Sequence, residues 1–79
     1  MHNVIGFKIV GIFRIQLWIW SDGSGHDPIF SIDVRRVELE GIGEREILIP
    51  LNDSYLEAIG DYDSLSSTED VEKFIIENT

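Results

Sequence analysis

Apolar side chains recur at alternate positions between Val4 and Trp20, and this alternation constrains the fold more than any other feature. A period of two is typical of a β-strand, whose successive side chains point to opposite faces. The apolar odd positions are Ile5, Phe7, Ile9, Phe13, Ile15, Leu17 and Ile19. Gly11 interrupts the series, which predicts either a bulge in one strand or a tight connection between two shorter strands. Because Trp18 and Trp20 occupy even positions, we expect part of the second sheet face to be covered as well.

Further strands are predicted after a loop over residues 21–28 that is rich in Gly, Ser and Asp. Apolar side chains alternate over residues 30–39 but change parity midway, which predicts a bulge near Arg35 and Arg36. The glycines of residues 41–43 predict a hairpin turn into a strand over residues 45–49. Pro50 has no amide hydrogen to donate to a neighbouring strand, so we expect that strand to end there.

Two helices are predicted after this strand. Residues 52–54 are suited to cap a short helix from Tyr55 to Ile59 that stops at Gly60. Residues 66–69 form a capping-box pattern, and the apolar residues that follow recur at helical spacing. The predicted fold is therefore α+β, with a small antiparallel sheet of about four strands and a C-terminal helix packed on one face.

Length and composition limit the class of protein. A chain of 79 residues with 43% hydrophobic residues has room for one core, so we expect a single acidic domain over residues 1–79. The absence of cysteine excludes disulfides, thiolate nucleophiles and zinc sites that use cysteine. Lys8 and Arg14 interrupt the longest apolar run, and no signal-peptide pattern follows Met1. We therefore expect a cytoplasmic protein.

Negative charge is concentrated in the second half of the chain. The net charge is −9, and residues 38–79 carry two basic side chains against twelve acidic ones. Such a surface repels nucleic-acid phosphates and anionic lipids, so we expect neither direct nucleic-acid binding nor membrane binding. A protein with a basic surface is the natural partner.

Two groups of residues resemble chemical sites only in composition. His26 lies beside Asp27 and near Ser21 and Ser24, but turn loops collect these residue types for conformational reasons. The acids from Asp61 to Asp70 do not have the spacing of a calcium-binding EF-hand loop. We predict no catalytic residues, no metal site and no cofactor.

Two features are candidates for partner binding. Trp18 and Trp20 share one strand face and form either an aromatic interaction surface or part of the core. The acidic side chains of the predicted hairpin, with Asp61 and Asp63 expected nearby, either imitate a row of phosphates or keep a two-sided sheet soluble. The predicted partner-binding residues are Glu38, Glu40, Glu44, Glu46, Asp61, Asp63, Trp18 and Trp20.

These features lead to a hypothesis of a non-catalytic acidic protein that inhibits or regulates a partner by docking on its basic, nucleic-acid-binding surface. In size and charge the chain is similar to small acidic inhibitors encoded by phages, anti-CRISPR proteins among them, and this resemblance is one of composition. One alternative is a homo-oligomeric structural subunit, a homodimer, that uses the Trp18/Trp20 sheet face. Another is a small metal-binding or hydrolytic protein.

Overall fold

A computed structural model describes residues 2–23, 25, 27–36, 45–51 and 54–78. It has four strands and two helices, in the order β1 (His2–Val10), β2 (Phe13–Trp20), β3 (Ile29–Arg36), β4 (Arg45–Leu51), α1 (Tyr55–Ser64) and α2 (Thr68–Asn78). The strands form one antiparallel sheet in the order β1-β2-β3-β4. The predicted α+β class is therefore confirmed.

Gly11 lies in a two-residue turn that separates β1 from β2, so the tight connection predicted at this position is the one observed. Its φ of 57° suits a glycine at the first position of a type II′ turn, and Val10 pairs with Phe13 across it. Paired residues share a face of the sheet. The reversal therefore places Phe7 and Ile9, opposite Gln16 and Arg14, on the face away from Ile15. The prediction of one apolar odd face over both strands is wrong for β1.

The core lies between one face of the sheet and the two helices. Ile15, Leu17 and Ile32 are fully buried in the centre of the sheet, and Ala58 of α1 and Val71 of α2 belong to the same cluster. On β1 the core side is taken by Val10, Lys8 and Gly6, which pair with Phe13, Ile15 and Leu17. The Lys8 ammonium group donates to the backbone oxygen of Tyr62 at 2.6 Å and lies 4.3 Å from the centre of its ring. Lys8 therefore links the edge strand β1 to α1.

Three predicted boundaries differ from the structure. The β3–β4 register is continuous from Phe30–Leu51 to Arg36–Arg45, so the described strand has no bulge at Arg35 and Arg36. β4 continues one residue beyond Pro50, which an edge strand tolerates because half of its amide groups have no partner in the sheet. α1 continues through Gly60 to Ser64, because Tyr62 in its last turn and Leu65 directly after it pack on the core. The predicted turn over residues 41–43 lies outside the described residues.

Both helices begin at the predicted capping segments, but the cap of α2 is Ser67 with Asp70, one residue later than the predicted Ser66–Glu69 box. The Ser54 hydroxyl accepts from the amide of Glu57 at 3.4 Å, and the Ser67 hydroxyl accepts from the amide of Asp70 at 3.1 Å. The Ser66 hydroxyl donates to the Asp70 carboxylate at 3.1 Å. The two bonds to serine hydroxyls from the amides of Glu57 and Asp70 satisfy donors that the first turn of a helix leaves unpaired.

Candidate protein-binding surfaces

One face of the sheet is not covered by any described element, and we call it the open face. Its members follow from the register, because both helices pack on the opposite side. The open face consists of His2, Val4, Phe7 and Ile9 of β1, Arg14, Gln16, Trp18 and Trp20 of β2, Ile29, Ser31, Asp33 and Arg35 of β3, and Glu46, Leu48 and Pro50 of β4. The predicted covering of the second face is thus not provided by the described residues.

The open face exposes large apolar side chains along both edges of the sheet. Phe7 and Ile9 of β1 are 56% and 58% exposed, and Leu48 of β4 is 61% exposed. Val4 and Ile29 are exposed as well. Large apolar side chains that are exposed together on one face are typical of an interaction site.

Aromatic rings gather at one end of the open face. The ring of His2 meets Trp18 edge-on with centroids 6.4 Å apart, and its centroid lies 6.2 Å from that of Trp20. Both tryptophans are half-buried although no helix packs on them. Trp18 and Trp20 therefore lie outside the core, on a face that is available for contact, and their role in binding stays a prediction.

A charged group occupies the other end of the open face. Arg35 donates to the Glu46 carboxylate across the β3–β4 pair. Asp33 is only 5% exposed, and one of its carboxylate oxygens, Oδ1, has no hydrogen-bond partner among the described residues. The Nε of Arg14, also buried, likewise lacks a described partner. The group contains two arginines and two carboxylates and is neutral overall.

The environment of Asp33 disfavours its ionised form. Burial raises the pKa of the Asp33 carboxyl group above its usual value, and the nearby Glu46 charge raises it further. Arg35 and Arg14 act in the opposite direction but do not reverse the shift. Asp33 was not predicted as a site residue. Its position opposite Gln16 and Leu48 depends on the pairing of three strands, which no local sequence pattern gives.

A second surface, the helical layer, consists of the solvent side of α1 and α2. It carries seven carboxylates and one lysine. The acidic residues are Glu57, Asp61, Asp63, Glu69, Asp70, Glu72 and Glu77. Only Asp61 is half-buried, and the other six are exposed. Of the eight acidic residues of the second half that the structure describes, seven therefore lie on the side opposite the open face.

The predicted partner-binding residues do not form one surface. Asp61 and Asp63 belong to the helical layer, whereas Glu46 lies on the open face with Trp18 and Trp20. Glu38, Glu40 and Glu44 lie outside the described residues. The sheet itself separates the two groups, so one partner surface of ordinary size would not contact both.

The groups considered for chemistry are not assembled into a site within the described part of the chain. His26 and Ser24 lie outside it. Asp61 and Ser64 lie in the last turn of α1, where the Ser64 hydroxyl donates to the Asp61 backbone oxygen, and Asp70 is held by serines. Among the described residues, no three histidine, aspartate or glutamate side chains are grouped so as to hold a metal ion.

A groove of about 710 Å³ lies at the end of the sheet where β3 begins and β4 ends. Pro28, Phe30, Leu51 and Tyr55 contribute apolar surface to its lining, and Asp27 is the ionisable carboxylate there. The groove is open to solvent and brings no second carboxylate or histidine of the described chain next to Asp27.

Comparison with protein-family models, curated protein sequences and solved structures yields no significant match. Over the residues that the structure describes, no helix combines the length and the apolar character needed to cross a membrane. The geometry and charge of the open face and the helical layer are therefore the basis for a proposed function.

Proposed function

We propose that the protein is a non-catalytic, acidic protein-binding module of the cytoplasm, which inhibits or regulates a partner by docking its helical layer on a basic surface. The observation that supports this proposal is the segregation of charge: seven carboxylates and one lysine lie on α1 and α2. The described part of the open face, in contrast, is neutral. A charge that served solubility alone would have no reason to gather on one layer of the described residues.

The geometry of the helical layer suits a partner that normally binds phosphates. Glu57, Glu69 and Asp70 lie in the first turns of their helices, where the helix dipole favours negative charge. The Asp70 carboxylate is also held by hydrogen bonds from Ser67 and Ser66, which lower its pKa and keep it ionised. A carboxylate that is held in place, as that of Asp70 is, meets an arginine or lysine side chain at a lower entropic cost than a mobile one does. An inhibitor of the anti-CRISPR kind would use such a layer to occupy a nucleic-acid-binding surface.

Charge reversal on the helical layer tests this function. The chain is used as bait in an extract of its native host, and a protein that it retains is purified for titration. We expect Asp63→Lys to weaken binding several-fold and to reduce its dependence on salt, because a rim charge contributes both attraction and steering. Asp27→Lys is the matched control, since it makes the same charge change at an exposed position in the loop before β3.

The outcomes separate docking from bulk charge. Equal loss of affinity in Asp63→Lys and Asp27→Lys would show that only net charge matters, and unchanged affinity in both would contradict the proposal outright. The role predicted for the hairpin glutamates remains open. Glu46→Lys in the same titration reports whether that side of the molecule contributes to binding.

A further inference from the structure

The open face needs an occupant different from the one proposed for the helical layer. A basic surface would find no excess of carboxylates there, because Arg14 and Arg35 balance Asp33 and Glu46. Its exposed apolar side chains, Phe7, Ile9 and Leu48 among them, require an apolar contact instead.

We propose that a second copy of this chain covers the open face, so that two sheets pack face to face around a twofold axis with the helical layers outside. This proposal does not depend on the function proposed for the helical layer, because it uses the opposite side of the sheet.

Charge distribution favours this arrangement. Two copies of a chain with a net charge of −9 repel each other, and the repulsion is smallest when the acidic layers point away from each other. Face-to-face packing separates the two helical layers by both sheets. Pairing through the free edge of β1 would instead place the two helical layers side by side, since α1 packs over β1 through Tyr62.

The polar groups of the open face are self-complementary. A twofold interface presents the same surface twice, so each copy must supply both the donors and the acceptors. The buried Arg14 Nε and the buried Asp33 Oδ1 are a donor and an acceptor without described partners on this one face. Asp33 is flanked by Gln16 and Leu48, neither of which belongs to the core, so an approaching copy can displace these side chains.

The area of the face is sufficient for a dimer. Four strands spaced about 4.8 Å apart, with residues rising about 3.3 Å each, present on the order of 500 Å² per copy. Two copies reach the total of about 1,000 Å² that a specific interface needs. Two packed sheets of this kind form a sandwich, whose facing side chains fill a layer about 10 Å thick.

Sedimentation of the full chain over a series from low micromolar to submillimolar concentration tests the proposal. We expect a reversible monomer–dimer equilibrium in which the emission of Trp18 and Trp20 shifts to the red on dilution, as the rings become more exposed to water. Leu48→Lys should raise the dimer dissociation constant by about tenfold or more, since it places an unpaired charge in an apolar contact. Leu56→Lys is the matched control, because Leu56 is 79% exposed on α1, on the other side of the sheet.

A second pair of variants keeps the test decisive if Leu48→Lys does not fold. Ile9→Lys on β1 and its control Ile76→Lys on α2 make the same change on the two sides of the molecule. Asp63→Lys should leave the dimer intact, so failure of the helical-layer function and failure of the dimer are distinguishable. A monomer at every concentration, or equal weakening by the open-face variants and their helical-layer controls, would overturn the proposal.

Discussion

At the scale of single residues, burial of the Asp33 carboxyl group lowers the stability of the folded chain. Its carboxyl group is 5% exposed, and burial raises its pKa above the usual value. A carboxyl group with a raised folded-state pKa stabilises the fold below its unfolded pKa, and this contribution is lost as pH rises through the folded pKa. Above the unfolded-state pKa, Asp33 therefore opposes folding of the monomer.

Asp33→Asn should accordingly stabilise the monomer. We expect a gain of about 1 kcal/mol in the free energy of unfolding at pH 7, because a buried carboxyl group whose ionisation the fold disfavours is replaced by a side chain that does not ionise. The gain should vanish below the usual carboxyl pKa of 3.8, where both side chains are uncharged. Urea unfolding at a series of pH values, at concentrations where the chain is monomeric, measures the difference. A gain that does not depend on pH would contradict this account of Asp33.

Gly6 is a residue whose lack of a side chain is required by packing. A Cβ atom at this position would lie 3.0 Å from the Tyr62 ring and 3.3 Å from the Leu17 Cβ. Gly6→Ala should therefore destabilise the protein by about 1–3 kcal/mol, the usual cost of overpacking. The contact also explains why a glycine interrupts β1 at a core-facing position.

Gly60 is the natural control for Gly6. No atom lies within 4 Å of a Cβ built there, and the residue is inside α1. Gly60→Ala should thus stabilise the protein by about 0.5–1 kcal/mol through helix propensity. Thermal unfolding of the two variants gives shifts of opposite sign if the packing of Tyr62 on Gly6 is correct. A similar loss of stability in both variants would contradict the close packing of Tyr62 on Gly6.

At the scale of elements, local patterns predicted most of the secondary structure but not the sheet register. The capping serines before α1 and α2 act within one helical turn, so the sequence is sufficient to find them. Which face Phe7 occupies depends on how β1 pairs with β2 after the turn at Gly11, and alternation is compatible with either answer. The continuation of α1 beyond Gly60 depends on tertiary packing, which outweighs the preference of one glycine.

The start of α2 gives a prediction about pH. Hydrogen bonds from Ser67 and Ser66 lower the pKa of the Asp70 carboxyl group. A lowered folded-state pKa gives stability that is present above the unfolded pKa and is lost as pH falls through the folded one. Acidification below the usual carboxyl range should therefore weaken α2 at its first turn.

Ser67→Ala tests the same cap. Loss of the bond to the Asp70 amide should cost about 1 kcal/mol of stability, as for other helix caps. The NMR-measured pKa of Asp70 should rise toward its usual value in this variant, because the strongest hydrogen bond to the carboxylate is removed. Ser64→Ala is the control. Ser64 is the last residue of α1, and its hydroxyl donates to the backbone oxygen of Asp61 instead of holding a carboxylate. An unchanged pKa of Asp70 would show that Ser67 does not hold the carboxylate.

At the scale of the whole molecule, the acidic surface and the exposed apolar surface lie on opposite sides of the sheet. The helical layer carries most of the described negative charge, and the open face carries exposed apolar groups with a balanced charged group. The two proposed interfaces therefore do not overlap, so that a partner with a basic surface and a second copy of the chain would bind at the same time. The dimer would present two acidic layers on opposite sides, which would allow bivalent contact with two basic sites.

The confined charge should also be visible in the stability of the free protein. Seven carboxylates on two short helices repel one another, and salt shortens the distance over which they do so, from about 10 Å at 0.1 M to about 3 Å at 1 M. We expect the melting temperature to rise with sodium chloride concentration, most steeply at low salt. Asp63→Lys should reduce this dependence more than Asp27→Lys, because Asp63 has more acidic neighbours, although both variants carry the same net charge. Identical salt curves for the two variants would show that net charge, rather than its confinement to the helical layer, governs stability.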